Sequence, residues 1–119
     1  MRFYDWLMPR LGYTPAPNPG DWRGWCYVGS DGKTAGAFWI RPAGAELNSS
    51  FDKQRVGLAE VAFKAESRRF INEIAGEIES RGGKILNSPQ EYPYEPGYYS
   101  VFFTDPDGIK LEIVTRSGK

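Results

Sequence analysis

The chain has 119 residues, which suits one compact domain that can bury a core without disulfide or metal support. Lys plus Arg and Asp plus Glu both number 15, so the charge balance indicates neither a nucleic acid nor a membrane partner. The single Cys26 excludes an internal disulfide, and the absence of histidine excludes Ser-His-Asp and Cys-His catalysis and the usual histidine metal sites. Any chemistry must use carboxylates, Tyr, Lys, Arg or the backbone.

The first residues predict a helix. Phe3, Leu7 and Leu11 recur every four residues, and Gly12 ends the pattern, although Pro9 would kink or shorten the helix. The early apolar stretch stops at Pro9, too soon for a signal sequence or a membrane span. We therefore expect a cytoplasmic protein.

Two short strands follow this helix and a brief YTPA segment. RGWCYV and TAGAFWI flank a Gly-Ser-Asp-Gly turn. The polar stretch RPAGAELNSSFDKQ, residues 41–54, then reads as a linker between two halves of the chain.

The second half begins with an alternating strand at residues 56–65. A helix is predicted over 67–81, where Phe70, Ile74 and Ile78 form one apolar stripe. Three strands come next, in KIL, YYSVFFT and IKLEIVT, with NSPQEYPYEPG, residues 87–97, as a loop.

The two halves share an element order, and each ends in a hairpin built on Asp-Gly. This predicts an α+β protein of two tandem βαβββ units within one domain, 1–119. The first unit, 1–42, lacks its opening strand, and the second, 56–116, is complete.

The second half carries a family resemblance. GLAEVAF at its start and GYYSVFFTDPDGIKLEIV at its end resemble the vicinal oxygen chelate superfamily, the glyoxalase/bleomycin resistance/extradiol dioxygenase group. The resemblance implies two curled sheets with outer helices, which enclose a cleft where a divalent metal chelates substrate oxygens. It also places Glu112 at the family's glutamate ligand position.

Strand alternation directs Glu112 away from the helix, because Leu111 and Ile113 must face the apolar stripe. The family's usual histidine is replaced by Glu60, so the expected catalytic and metal-binding residues are Glu60 and Glu112. Of Mn, Mg, Ni and Zn, the hard cations Mg²⁺ and Mn²⁺ best suit two carboxylates plus waters. Alternatively, the two carboxylates line a wet cleft without metal, or share a proton as acid and base.

Aromatic residues on the paired strands favour a pocket for a flat or apolar ligand. The residues expected to contact this small molecule are Trp39, Tyr94, Tyr99, Phe103 and Lys110. The leading interpretation is a degenerate or small-molecule-binding member of the superfamily. The alternative is a divalent-metal-dependent lyase or dioxygenase-type enzyme that uses Glu60 and Glu112.

The missing opening strand leaves an unpaired edge beside TAGAFWI, which is an aggregation hazard unless something covers it. Either the natural protein begins upstream, or a second copy closes the edge in a symmetric homodimer. We expect the homodimer for the chain as given.

Overall fold

A computed structural model describes residues 2–17, 20–43, 51–52, 54 and 56–119. It confirms the α+β class, with two α-helices and two sheets among these described residues. The chain divides into two compact units, Met1–Asn48 and Ser49–Lys119. Most of the predicted linker, 41–54, lies outside the described residues, and the tandem duplication remains a prediction. No helix in the described ranges is long and apolar enough to cross a membrane.

The first unit is a helix packed on a small antiparallel sheet. Its elements are α1 (Arg2–Arg10), β1 (Thr14–Pro15), β2 (Arg23–Val28) and β3 (Thr34–Ile40), in the sheet order β1-β2-β3. The helix packs through the aromatic ring of Tyr4, whose centroid lies 5.2 Å from Phe38 and 6.3 Å from Trp25. Pro9 lies in the last turn of α1, where it removes one backbone hydrogen bond, and the helix ends one residue later.

The second unit has a larger sheet covered on one face by a helix. Its elements are β4 (Val61–Lys64), α2 (Arg68–Ala75), a 3-10 turn (Glu79–Arg81), β5 (Lys84–Glu91), β6 (Tyr99–Thr104) and β7 (Lys110–Thr115). The sheet order is β4-β7-β6-β5, with β4 parallel to β7 and the remaining pairs antiparallel. The central strand β7 therefore has a neighbour on each side.

The predicted helix over 67–81 is shorter in the structure. Ser67 caps α2, since its hydroxyl accepts the Phe70 backbone N–H at 3.1 Å. The α-helix ends at Ala75, and the chain continues through Gly76, whose φ is −66°, into a turn and a 3-10 helix. Ile78 remains fully buried, so the apolar stripe continues although the helix type changes.

Two strand boundaries also differ from the sequence prediction. The opening strand covers Val61–Lys64 only, rather than 56–65. In contrast, β5 extends to Glu91 and includes residues predicted as loop. Pro89 is compatible with this strand because β5 lies at the sheet edge and its register shifts between Asn87 and Gln90.

Register assigns the side chains of the second sheet to two faces. Val101 lies opposite Ile113, and Phe103 lies opposite Leu111. These four side chains are fully buried on the face covered by α2. Glu112 lies on the other face, as strand alternation predicts for β7.

Candidate functional site

Glu112 occupies the middle of β7 on the face opposite α2. It is flanked in register by Phe102 of β6 and Ala62 of β4. Only 4% of Glu112 is exposed, although the sheet face that bears it is not the helix-covered one. A carboxylate so deeply buried requires a specific polar partner.

Tyr98 supplies that partner. Its hydroxyl donates a hydrogen bond to Glu112 Oε2, and in the described part of the chain it is the sole hydrogen-bond donor to this carboxylate. Burial, followed by this hydrogen bond, raises the pKa of Tyr98 above its ordinary value of 10.0. Tyr98 therefore remains protonated at neutral pH and acts as a donor, while Glu112 keeps acceptor capacity for a second group.

The loop between β5 and β6 places further aromatic rings beside this pair. The Tyr92 ring lies edge-on to Tyr98, at 6.2 Å between centroids, and edge-on to Phe102, at 5.5 Å. Tyr94 stacks on Tyr92 with an interplanar angle of 7° and a centroid distance of 5.3 Å. Tyr92, Tyr94, Tyr98, Phe102 and Glu112 are called the tyrosine cluster below.

Backbone contacts hold this loop in place. Tyr92 N–H donates to the Tyr98 carbonyl at 3.1 Å, and Tyr98 N–H donates to the Glu95 carbonyl at 3.2 Å. Gly97 has a φ of 79°, and a Cβ there would lie 2.9 Å from the Arg116 carbonyl oxygen. Glycine is thus required at this turn, which fixes where the tyrosines project.

The Tyr92 hydroxyl oxygen is buried and has no hydrogen-bond partner among the residues that the structure describes. Burial is the main factor that raises the pKa of Tyr92, and the nearby Tyr94 and Glu112 raise it further. Tyr92 is therefore also a protonated donor at neutral pH. The cluster thus presents a free donor near a carboxylate acceptor.

Lys110 lies on the same face as Glu112. Its Nζ is 4.0 Å from Glu60 Oε1 and 5.0 Å from the centroid of the Phe102 ring. Glu60 is also close enough to raise the pKa of Tyr98, as the weakest of several causes. The structure therefore brings Glu60, Lys110 and Glu112 to one region of the second unit.

Arg116 borders the cluster on another side. Its guanidinium lies 5.1 Å from the centroid of the Tyr98 ring and pairs with Glu95. The two nearby cations, Arg116 and Lys110, thus each already have an acidic partner. Within the described ranges, Glu112 has no cation at salt-bridge distance.

Comparison with known proteins identifies the family. Residues 9–113 match the model of the Glyoxalase/Bleomycin resistance protein/Dioxygenase superfamily. The chain belongs to this superfamily. It is 29% identical to the uncharacterized protein YqjT of Bacillus subtilis strain 168, over 98% of this chain and 88% of YqjT.

Solved structures of the superfamily share its fold. A provisionally assigned glyoxalase from Bacillus halodurans matches with a TM-score of 0.74 and 28% identity, over 95% of this chain and 82% of the other. A glyoxalase/bleomycin resistance protein from Albidiferax ferrireducens T118 matches with a TM-score of 0.68 and 21% identity, over 96% and 84%. At that lower identity, the second match supports the fold alone.

The family resemblance implies a site for a divalent metal. The side chains available to hold it, Glu60 and Glu112, do not fit such a site. In the described part of the chain, no three His, Cys, Asp or Glu side chains come together as a metal-binding group. Glu112 already accepts a hydrogen bond from Tyr98, and Glu60 faces the ammonium group of Lys110. A neighbouring positive charge opposes a cation, and two carboxylates leave most of its coordination unfilled.

Two residues predicted to bind substrate lie on the face of the second sheet opposite to Glu112. Phe103 is fully buried on the face covered by α2. Tyr99 also projects toward α2, where its hydroxyl donates to Asn72 Oδ1 at 2.7 Å and its ring lies 4.8 Å from the Arg68 guanidinium carbon. Neither side chain therefore lies beside Glu112, because alternate residues of β6 point to opposite faces.

The remaining predicted contacts divide between the units. Tyr94 and Lys110 belong to the region around Glu112, as described above. Trp39 lies in the first unit, 40% exposed, with its indole ring directly over Gly24. A Cβ on Gly24 would lie 2.3 Å from that ring, so the absence of a side chain at Gly24 allows the indole to pack against the backbone there.

The sequence prediction missed Tyr98 and Phe102 as residues of the site. The turn at Asp105 sets the hairpin register, and this register shows which residues of β6 lie beside Glu112. The Asp105 carboxylate accepts the backbone N–H groups of Asp107 and Ile109, each at 2.9 Å, and thereby fixes a hairpin centred on residue 107. Residues equally distant from that centre pair across the hairpin, which places Phe102 opposite Glu112.

Proposed function

We propose that this protein is a small-molecule-binding member of its superfamily and holds its ligand at the tyrosine cluster. The observation that carries this proposal is the burial of Glu112 among aromatic rings on the sheet face opposite α2. The aromatic rings offer flat apolar contact, and the carboxylate and phenols offer orientation.

The energetics of Glu112 support a functional role. Burying a carboxylate costs several kcal/mol, on the order of the penalty for a desolvated ion, and one hydrogen bond offsets only part of it. A leucine or valine on β7 would avoid that cost. A costly group between two fully buried apolar neighbours, Leu111 and Ile113, is typical of a binding or catalytic site.

A fragment screen tests the proposal. Flat aromatic fragments are added to isotope-labelled protein, and backbone and tyrosine side-chain shifts are followed by NMR. We expect the perturbed resonances to cluster at Tyr92, Tyr98 and Glu112, and Glu112→Gln to weaken the binding. The matched control is Tyr99→Phe, which changes the tyrosine next to Tyr98 in the chain, on the face toward α2. Perturbations confined to other regions, or none with any fragment, would contradict the proposal.

The alternative is a metal-dependent lyase or dioxygenase-type enzyme that uses Glu60 and Glu112. It is supported by the position of both carboxylates around Tyr98, and opposed by the donor set described above. Metal analysis of protein purified without chelator or nickel column separates the two. We expect much less than one equivalent of metal and no rise in melting temperature with added Mn²⁺, Mg²⁺, Ni²⁺ or Zn²⁺. Binding at a hundredfold excess over Kd would add about 2.7 kcal/mol, which is readily measured.

We further propose a homodimer in the cytoplasm. In the described residues, β3 pairs only with β2 and so forms an edge of the first sheet. A second copy that covers this edge would remove the hazard of unpaired backbone groups. Sedimentation at micromolar concentration tests the association, and a stable monomer would contradict it.

A further inference from the structure

The Tyr92 hydroxyl is the polar group of the cluster that lacks a partner within the described residues. A buried donor without an acceptor is costly, and such groups are rare in folded proteins. Tyr98 differs, since its proton is already donated to Glu112. The donor offered to a ligand is therefore Tyr92, and the acceptor offered is Glu112.

The two groups are near each other but not bonded to each other. The Tyr92 ring packs edge-on against Phe102, which is the register partner of Glu112. Glu112 is also close enough to act electrostatically on the Tyr92 phenol. A ligand that satisfies both must present an acceptor to Tyr92 and a donor to Glu112 from adjacent positions.

Other ligand chemistries satisfy only one of the two groups. A carboxylate or phosphate would accept from Tyr92 but repel Glu112. An alkylammonium group would donate to Glu112 but offer no acceptor to Tyr92. A purely hydrocarbon ring would leave the Tyr92 hydroxyl without a partner and Glu112 with the Tyr98 hydrogen bond alone, at a cost in affinity.

We propose that the tyrosine cluster recognises a planar ring with an N–H next to a C=O, as in a cyclic amide. The carbonyl accepts from the Tyr92 hydroxyl, and the N–H donates to Glu112. The ring packs against the aromatic faces beside them, and Tyr94, which is 65% exposed, is the ring of the cluster nearest to solvent. This inference rests on the proposed function, because it specifies the ligand of the same site.

Two probes that differ by one methyl group test the inference: 2-quinolone and 1-methyl-2-quinolone. Both are flat and carry the carbonyl, but the methyl group removes the N–H donor. Dissociation constants are measured by NMR titration of the full chain. We expect 2-quinolone to bind at the cluster at least about tenfold more tightly, because the methylated probe offers the buried Glu112 no second donor beside Tyr98.

The carbonyl contact is tested with Tyr92→Phe, which deletes the hydroxyl and keeps the ring. We expect it to weaken 2-quinolone binding about fivefold, the value of one hydrogen bond. The melting temperature should not fall, since the deleted group has no protein partner in the described residues, so a folding defect will not obscure the result. Tyr99→Phe is the matched control and should leave the affinity unchanged.

The outcomes separate this inference from the proposed function. Equal affinity for the two probes, or an unchanged affinity in Tyr92→Phe, overturns the cyclic amide while leaving a small-molecule site at the cluster. If other flat fragments bind at the cluster but 2-quinolone does not, the cyclic amide is likewise overturned and the small-molecule site is kept. If neither these probes nor any fragment perturbs the cluster, the proposed function itself fails, and the inference fails with it.

Discussion

The two faces of the second sheet are both buried at β7, but by different chemistry. On the α2 face, Ile113 and Leu111 pack among aliphatic and aromatic side chains and are fully buried. On the other face, Glu112 is buried among tyrosines and phenylalanine and accepts a phenolic hydrogen bond. Neighbouring residues of one strand thus lie in an apolar core and in a polar aromatic cluster.

This difference indicates a division of roles within a single strand. Apolar burial contributes stability at roughly 25 cal/mol per Å² and requires no specific partner. Polar burial contributes little net stability and requires exact partners to avoid a penalty. We therefore expect substitutions on the α2 face to affect unfolding, and substitutions on the Glu112 face to affect ligand binding more strongly.

Ile113→Ala tests the stabilising face and should have the largest effect. The substitution removes three carbon atoms from a fully buried site and leaves a cavity beside Leu111 and Val101. We expect the free energy of unfolding to fall by about 2–5 kcal/mol in urea denaturation. Glu112→Gln is the adjacent control and should cost less, since its amide oxygen still accepts from Tyr98. A larger loss in the control would contradict the division of roles.

A pair of Tyr→Phe variants on β6 and its preceding residue compares the faces directly. Tyr98→Phe leaves the buried Glu112 without its donor, and we expect a loss of about 1–3 kcal/mol. Tyr99→Phe removes a hydrogen bond to Asn72 on the exposed side of α2, and the expected loss is about 0.5–1.5 kcal/mol.

The double variant Tyr98→Phe/Glu112→Gln sharpens this comparison. Because Gln is uncharged, its burial without the phenol costs less than that of a carboxylate. We expect the double variant to lose less free energy of unfolding than the sum of the losses in the two single variants. Strict additivity in urea denaturation would mean that the hydrogen bond does not couple the two residues.

Alkaline pH probes the Glu112 face without any substitution. The pKa values of Tyr98 and Tyr92 are raised in the folded protein, mainly by burial. Above the unfolded value of about 10, the unfolded chain loses these protons first, so stability falls as pH rises, by at most about 1.4 kcal/mol per pH unit for each group. Chemical denaturation from pH 9 to 11 should show this decline, and a smaller one in Tyr98→Phe. An identical decline in that variant would contradict the assignment.

In the second sheet, the sequence predicted the direction of a side chain correctly where a single rule determined it. Alternation in IKLEIV placed Glu112 correctly, because an apolar stripe had to face the helix. The sequence did not show which of Tyr98, Tyr99, Phe102 and Phe103 lie beside Glu112, because both faces of β6 carry aromatic residues and composition cannot distinguish them. Only the hairpin register does so, and it depends on the hydrogen bonds that Asp105 makes in the turn.

The first unit shows a second limit of pattern reasoning. Counted from the Asp-Gly turn of each hairpin, Gly36 of the first unit is at the position that matches Glu112. The register of β2 and β3 shifts between Tyr27 and Val28, so Gly36 lies opposite Tyr27, on the same side as Trp25 and Phe38. Ala37 projects to the other face, opposite Cys26. A bulge of this kind changes which sheet face each following side chain points to, and amino-acid composition does not reveal it. Neither Gly36 nor Ala37 supplies a carboxylate.

The smallest expected effect concerns Lys110 and Glu60, at the solvent-exposed margin of the Glu112 face. Their charged groups lie 4.0 Å apart and both side chains are more than one third exposed, so solvent screens the pair. A double-mutant cycle with Lys110→Met and Glu60→Gln should give a coupling energy of about 0.2–1 kcal/mol in the free energy of unfolding, reduced further in 0.5 M salt. Coupling above about 2 kcal/mol, or insensitive to salt, would show that Glu60 belongs to the buried network of Tyr98 and Glu112. The boundary between the polar cluster and solvent would then lie beyond Lys110, and the two-carboxylate alternative would gain support.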